Sequence, residues 1–279
     1  MSRIDRLFAD RRAENRRSLV VYLCVGDPSL EGTVRFARAA LEAGADALEL
    51  GVPFSDPTAD GPAIARASER AIAAGSSLGR TLEVAAEIRR ASDAPLVLFG
   101  YYNPILIRGE ERSVRDATAA GFDALLVVDL PPEEGVVMRD AAKAAGLAVV
   151  PLLTPTSGPS RVAAAAARAS GFVYYVSVTG VTGQAGEEAL VSAAAQAGRL
   201  RDATRLPVVI GFGIDGPRKA RIATGLVAAA PAPASRSGAD GIVVGTAVVR
   251  AIESERDDAS RVRAVTALVG SLRAALDEV

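Results

Sequence analysis

Histidine is absent from this 279-residue chain, and lysine occurs only at Lys143 and Lys219. That removes Ser-His-Asp and Cys-His nucleophile pairs and the usual zinc and non-haem iron sites, so no metal site is expected. Proton chemistry is left to Asp, Glu, Tyr or Cys. Both lysines fall inside helical patterns, which argues against a Schiff-base lysine. Cys24 is the single cysteine. No base is apparent for it, and it reads as a small buried apolar residue. The carboxylates are better placed. Asp27, Glu49, Asp56, Asp60 and Asp129 each stand near the end of a β-rich run or in the segment just after one.

Glu49 is the most informative of these. Strand alternation puts Ala47, Glu49 and Gly51 on one face and Leu48, Leu50 and Val52 on the other. The large aliphatic side chains belong against helices, and the small ones leave room beside Glu49. A carboxylate in a roomy apolar pocket has its pKa raised by desolvation, which suits a general acid/base. A structural Glu49 paired with an arginine fits the spacing equally well. Tyr22, Tyr101, Tyr102 and Tyr174 read as core or pocket wall.

A second chemical signal is glycine. Thr179-Gly180-Val181-Thr182-Gly183, Gly211-Phe212-Gly213 and Gly245-Thr246 each follow or end a β-rich run, and the last opens a short helical stretch at 247–253. Glycine lets backbone N–H groups approach a ligand closely, and a helix N-terminus favours an anion. Each motif alone marks a tight turn. Together they point to a phosphate.

These residues need a scaffold. Eight runs read as buried strands: 19–25, 47–52, 96–101, 124–130, 148–153, 172–178, 208–212 and 241–245. They are continuous in Val, Ile and Leu, as when both faces are covered. Helical patterns rich in Ala, Arg, Leu and Glu lie between them at 30–43, 81–90, 114–120, 133–145, 160–169, 189–204 and 217–229. Ala43-Gly44-Ala45-Asp46, Ala120-Gly121-Phe122-Asp123 and Ser237-Gly238-Ala239-Asp240 repeat one another before three strands, and Gly146 and Gly171 stand at the same point before two more. Each glycine is placed to end a helix in the left-handed conformation. Gly121, Gly146 and Gly171 are spaced 25 residues apart, which suits one βα unit each. Eight such units in about 250 residues is the arithmetic of a (β/α)8 TIM barrel. A doubly wound sheet is the competing fold, but Val25-Gly26-Asp27-Pro28 after the first strand is not the dinucleotide fingerprint. An extra N-terminal helix at 4–16 and a final helix at 261–276 complete one domain over 1–279. The Pro/Ala/Ser stretch at about 230–237 reads as a surface insertion on the side away from the site.

Composition narrows the partners. Thirty-two basic residues nearly cancel 33 acidic ones, giving a net charge of −1. No net basic face for nucleic acid follows from that, and 4% aromatics with no Trp argue against a base-stacking platform. No 20-residue apolar span or cleavable leader is apparent, so a membrane is not expected and a cytoplasmic location is. The lone cysteine suits a reducing compartment.

The run Ala47-Leu48-Glu49-Leu50-Gly51-Val52-Pro53-Phe54-Ser55-Asp56-Pro57-Thr58-Ala59-Asp60-Gly61-Pro62 resembles the signature of the tryptophan synthase α subunit family. The resemblance extends in order through Gly26-Asp27-Pro28, Tyr101-Tyr102-Asn103-Pro104-Ile105, Val128-Asp129-Leu130-Pro131, Gly180-Val181-Thr182-Gly183 and Gly211-Phe212-Gly213-Ile214. It implies a (β/α)8 barrel that cleaves indole-3-glycerol phosphate to indole and glyceraldehyde 3-phosphate. It implies that Glu49 moves the proton to the indole ring carbon and takes part in breaking the side chain, and that Asp60 holds the indole N–H and stabilises developing positive charge. Tyr174, Phe212 and Tyr22 would line the substrate, with Tyr101, Asp129 and Gly211 in matched motifs. Gly183, Gly213, Gly245 and Thr246 would hold the phosphate, and the loop with Thr182 would close over the site. Asp56 would meet a β subunit, in an α2β2 heterotetramer. Pyridoxal phosphate is expected only in that β subunit, and no cofactor in this chain. The chain departs from the family at Cys24, where Thr is usual, at Tyr22 for Phe and at Thr246 for Ser. It also departs in the 230–237 insertion and at Gln184-Ala185-Gly186, which stands where Ala-Arg is familiar. A different phosphate barrel, a stand-alone lyase and a non-catalytic activator of a β subunit are the competing readings.

Overall fold

In the computed structural model, which describes residues 1–131, 134–176, 186–227 and 238–278, side-chain alternation decides which residues face the site. On β1 (Ser18–Cys24), Leu19, Val21 and Leu23 face the helices while Val20, Tyr22 and Cys24 face inward. The same rule on β2 (Ala47–Gly51) sends Leu48 and Leu50 outward and Ala47 inward, so Glu49 shares the inner face as the alternation predicts.

The remaining strands are β3 (Leu96–Gly100), β4 (Ala124–Val127), β5 (Ala148–Val149), β6 (Leu152–Leu153), β7 (Val173–Tyr175), β8 (Val208–Ile210) and β9 (Gly241–Val244). Every pairing is parallel, in the order β5-β4-β3-β2-β1-β9-β8-β7-β6. The two ends of that order are one stretch of chain. The expected single strand at 148–153 is two short ones, because Pro151 has no N–H to give a ladder. Val150 still donates to Leu125 at 2.9 Å, and Tyr174 donates to the Pro151 carbonyl at 3.0 Å. The run therefore reaches β4 on one side and β7 on the other, and the sheet closes as a (β/α)8 barrel.

The helices are α1 (Arg3–Ala13), α2 (Leu30–Glu42), α3 (Pro62–Ala73), α4 (Leu78–Ala91), α5 (Tyr102–Arg108), α6 (Glu110–Ala120), α7 (Val136–Ala145), α8 (Pro159–Arg168), α9 (Glu187–Thr204), α10 (Pro217–Ala223), α11 (Thr246–Glu253) and α12 (Asp258–Asp277). The extra N-terminal helix is present as α1. A Ser2–Asp5 capping box starts it. Its Ile4 and Phe8 are buried in the inner core, with Phe8 5.5 Å from the Phe172 ring, so α1 plugs the end of the barrel opposite the site. Two helices were not anticipated, α3 and α5. Helix α10 is shorter than the expected 217–229, of which residues 228–229 lie outside the described residues, as does the insertion at 230–237.

The glycine repeat has its expected task at three of five positions: Gly44, Gly121 and Gly146 end α2, α6 and α7, whereas α8 ends in the extended Ala169 before Gly171, and α10 ends at Thr224 and Gly225, well before Gly238. Gly44, Gly121, Gly146, Gly171 and Gly238 all have positive φ, between 70° and 103°. Two residues beyond three of them stands an aspartate that ties its strand to the preceding one. Asp46, Asp123 and Asp240 accept the backbone N–H of Leu19, Leu96 and Val208 at 2.8, 2.9 and 2.9 Å. Each carboxylate also holds an arginine from a neighbouring helix: Arg273, Arg89 and Arg201 respectively. At Gly44 and Gly121 an added Cβ would stand 2.6 and 2.7 Å from the arginine Cγ, so the glycine also clears the arginine's path.

Candidate active site

The C-terminal ends of the strands, where barrel enzymes carry their chemistry, surround a cavity of about 270 Å³. One wall holds the two carboxylates. Glu49 and Tyr22 are directly paired across β2 and β1, and both line the cavity with Phe99 and Tyr174. Asp60 comes from the segment between β2 and α3. The lining continues with Gly211, Phe212 and Gly213 after β8 and with Gly245 and Thr246 at the start of α11, where Gly245 lies against Tyr22.

Glu49 is 1% exposed, and its Oε1 has no hydrogen-bond partner. No arginine neutralises it among the described residues, so the structural-pair alternative fails. Burial, and then the nearby Asp60 charge, push its pKa up to about 8. Asp60 is raised to about 6 by burial, against which Tyr101 donates a hydrogen bond to Oδ2 at 3.2 Å. The Tyr101 hydroxyl itself accepts the Ala59 N–H at 2.9 Å, and its ring stacks on Phe54 at 4.9 Å. Tyr101 thus does not line the cavity but fixes the loop that presents Asp60. Near neutral pH the pair divides into a protonated Glu49 and an ionised Asp60.

Other expected residues fall as follows. Tyr174 lines the cavity and donates its hydroxyl to the Gly211 carbonyl at 3.1 Å. An added Cβ at Gly211 would stand 2.0 Å from the Tyr174 ring, which is why glycine is needed there. Tyr22 lies over Gly51, whose added Cβ would meet its hydroxyl oxygen, and stands edge-on to Phe99 at 5.4 Å. Asp129 is exposed and does not line the cavity; its Oδ1 accepts the Tyr102 N–H at 2.7 Å, capping α5. Asp56 is exposed on the loop after β2. Thr182 and Gly183, with the rest of 177–185, lie outside the described residues. Asp27 is withdrawn from the chemistry: it is 3% exposed and bound by Arg70 at 2.7 and 2.9 Å. Cys24 is buried against Ser68, its thiol pushed up to about 12 by burial, so it holds no thiolate at neutral pH.

Sequence reasoning missed Ile64, Thr154, Asp215 and Arg250, which also line the cavity. Thr154 just follows the fifth β-rich run, so the strand-end rule could have found it. Arg250 stands four residues after Thr246, on the same side of α11. Among the described residues no cluster of His, Cys, Asp and Glu could hold a metal ion, and no helix is long and apolar enough to cross a membrane.

A closed parallel barrel with two carboxylates of divided pKa in a cavity with an amide-rich lining defines a barrel enzyme of acid/base chemistry. The chain belongs to the tryptophan synthase alpha chain family, whose model matches residues 8–277. It is 48% identical over 278 residues to the tryptophan synthase alpha chain of Geobacter sulfurreducens, covering 99% of each protein. It is 44% identical to that of Geotalea uraniireducens, covering 100% of this chain and 99% of the relative. Among solved structures it resembles tryptophan synthase subunit alpha from Legionella pneumophila at TM-score 0.88 and 33% identity, covering all of both chains. A chain of Mycobacterium tuberculosis tryptophan synthase matches at TM-score 0.85 and 33% identity, covering 99% of this chain and 98% of that one. The chain is accordingly a lyase of tryptophan biosynthesis.

Proposed function

We propose that Glu49 and Asp60 cleave indole-3-glycerol phosphate in this cavity, releasing indole and glyceraldehyde 3-phosphate. The observation that supports this most directly is the unpartnered buried oxygen of Glu49, since a buried polar atom without a partner awaits one from a ligand. Protonated Glu49 delivers its proton to the ring carbon that bears the side chain. Positive charge then develops at the ring nitrogen, where ionised Asp60 receives the N–H. The Glu49 carboxylate takes the proton of the adjacent side-chain hydroxyl. The carbon–carbon bond breaks, its electron pair restores the indole, the hydroxyl carbon becomes the aldehyde, and Glu49 ends protonated as it began. The ring serves as electron sink, so the step uses no cofactor of this chain; pyridoxal phosphate belongs to the β subunit.

In this reading Tyr22, Tyr174 and Phe212 hold the substrate's organic part. Gly213, Gly245, Thr246 and, from outside the described residues, Gly183 hold its phosphate through backbone N–H groups and the Thr246 hydroxyl, at the N-terminus of α11. The loop with Thr182 closes over the site. Residues 1–279 act as one barrel domain in the cytoplasm, in an α2β2 assembly whose β subunit receives the indole. The partner face includes Asp56 and the exposed apolar residues that follow β3 and β4. The test is indole release followed by fluorescence, which the absence of Trp favours. Wild type releases indole, and Glu49→Gln lowers the rate about a thousandfold with unchanged circular dichroism. Equal rates in the two proteins would refute the assignment.

A further inference from the structure

The cavity presents an electrostatic difficulty. A phosphate dianion would enter a space lined by the acidic side chains of Asp60 and Asp215 beside the protonated Glu49, while among the described lining residues the one cation is Arg250. Arg250 stands one turn beyond Thr246 on α11, and helical side chains lean back toward the N-terminus of their helix. That direction carries its guanidinium toward the N–H groups at the helix start.

Arg250 is also available. Its nearest acidic neighbour on the helix is Glu253, but Glu253 is occupied: Arg66 grips it with two bonds at 2.9 and 3.0 Å and Arg70 with one at 2.9 Å, both from α3. Asp215, across the cavity rim, is held by Lys219 at 2.7 Å. Arg250 makes no ion pair or hydrogen bond with any described residue and is exposed at the mouth. The ion pairs around it engage the carboxylates that would otherwise neutralise it.

We propose that Arg250 is a phosphate-binding residue of this site, supplying the positive charge that the backbone N–H groups and Thr246 lack. This rests on the functional reading above and adds a residue to it. Arg250 stands at the phosphate end, remote from the proton transfers at Glu49, so it acts on binding rather than on bond cleavage. A guanidinium keeps its charge at all relevant pH and binds phosphate oxygens through paired donors.

The experiment compares wild type, Arg250→Gln and Arg250→Lys by steady-state cleavage and by calorimetric titration with inorganic phosphate. Arg250→Gln is expected to raise KM for indole-3-glycerol phosphate about tenfold, a typical worth for one charge-assisted hydrogen bond, with kcat within about twofold. It should weaken inorganic phosphate by a similar factor and leave the phosphate-free substrate indole-3-glycerol unaffected. Arg250→Lys should recover most of the loss. Unchanged KM and phosphate affinity in Arg250→Gln would overturn the proposal, as would an equal loss on the phosphate-free substrate. If wild type cleaved nothing, the functional reading would fall, while the phosphate titration would still decide for or against Arg250.

Discussion

Glu49 and Asp60 are the same kind of group in nearly the same place, yet their environments separate them. Glu49 has no donor for Oε1 and feels the Asp60 charge, whereas Asp60 has the Tyr101 hydroxyl. The kcat/KM profile should therefore be bell-shaped, rising through about 6 as Asp60 ionises and falling through about 8 as Glu49 loses its proton. These are values of the coupled pair. Asp60→Asn removes the like charge, so the Glu49 limb should move to lower pH while the rate drops; an unmoved alkaline limb would contradict the pairing. The same shift has a consequence for stability. The folded-state pKa of Glu49 lies above its unfolded value of about 4.5, so the native state binds a proton that the unfolded chain releases, and stability is lost as pH climbs from about 4.5 to about 8. Glu49→Gln lacks that loss. Its Tm should exceed that of wild type by roughly a few degrees at pH 9 and match it near pH 4, as differential scanning calorimetry would show.

At the scale of elements, the Gly-x-Asp corner is the recurring joint of the barrel, and its worth can be measured where it is best connected. Asp123 is 7% exposed and receives Leu96 N–H, Arg89 and Arg3. Asp123→Ala strands the Leu96 N–H and leaves the charge of a largely buried Arg89 without its carboxylate, held only by the Gly121 and Ser92 carbonyls. The expected cost is about 3 kcal/mol in urea denaturation, with KM unchanged because the corner lies at the strand starts, opposite the site. A loss below about 1 kcal/mol would show the corner to be decorative. The repeat itself was legible in the sequence because three copies of it differ so little, but the tie its aspartate makes to another strand and to an arginine was not, and Glu49 was legible because strand alternation is a short-range rule. The less legible parts depend on contacts between distant residues. Helix α5 has no local cap; the Asp129 carboxylate from the far end of β4 supplies one. That is also why Asp129 read as a site residue: its motif position is visible, its bond to Tyr102 is not. Helix α3 has no side-chain cap at Gly61 and directly follows a segment of turn residues; its one local start signal, Pro62 at the first helical position, reads equally well as a turn proline. Tyr101 read as pocket wall, because its bonds to Asp60 and Ala59 join segments some 40 residues apart.

The whole molecule divides its labour between two ends. The strand starts are sealed by α1 and the arginine–aspartate corners, and the strand ends are open and carry both the cavity and the exposed apolar side chains of the next elements. Leu106 and Ile107 on α5 are 52% and 79% exposed, and Val136 and Val137 at the start of α7 are 47% and 52% exposed. In the proposed reading these exposed apolar groups belong to the face that the β subunit covers. They follow β3 and β4, and Asp56 follows β2, so a partner seated there would touch the loop that presents Asp60. Docking of a β subunit on this face would then change cleavage by ordering that loop. A double variant, Leu106→Ser with Ile107→Glu, removes two apolar contacts worth about 1.5 kcal/mol or more each when buried. It should weaken association with the β subunit at least tenfold in sedimentation velocity, while the isolated chain cleaves its substrate as wild type does. The same variant should lose any rate change that the β subunit confers at concentrations sufficient for wild type, and regain it at higher β concentration. Undiminished association would place the partner face elsewhere on the barrel. A fall in the isolated chain's own rate would show instead that α5 supports the site directly, through the Asp129 cap and the Tyr101 that precedes it.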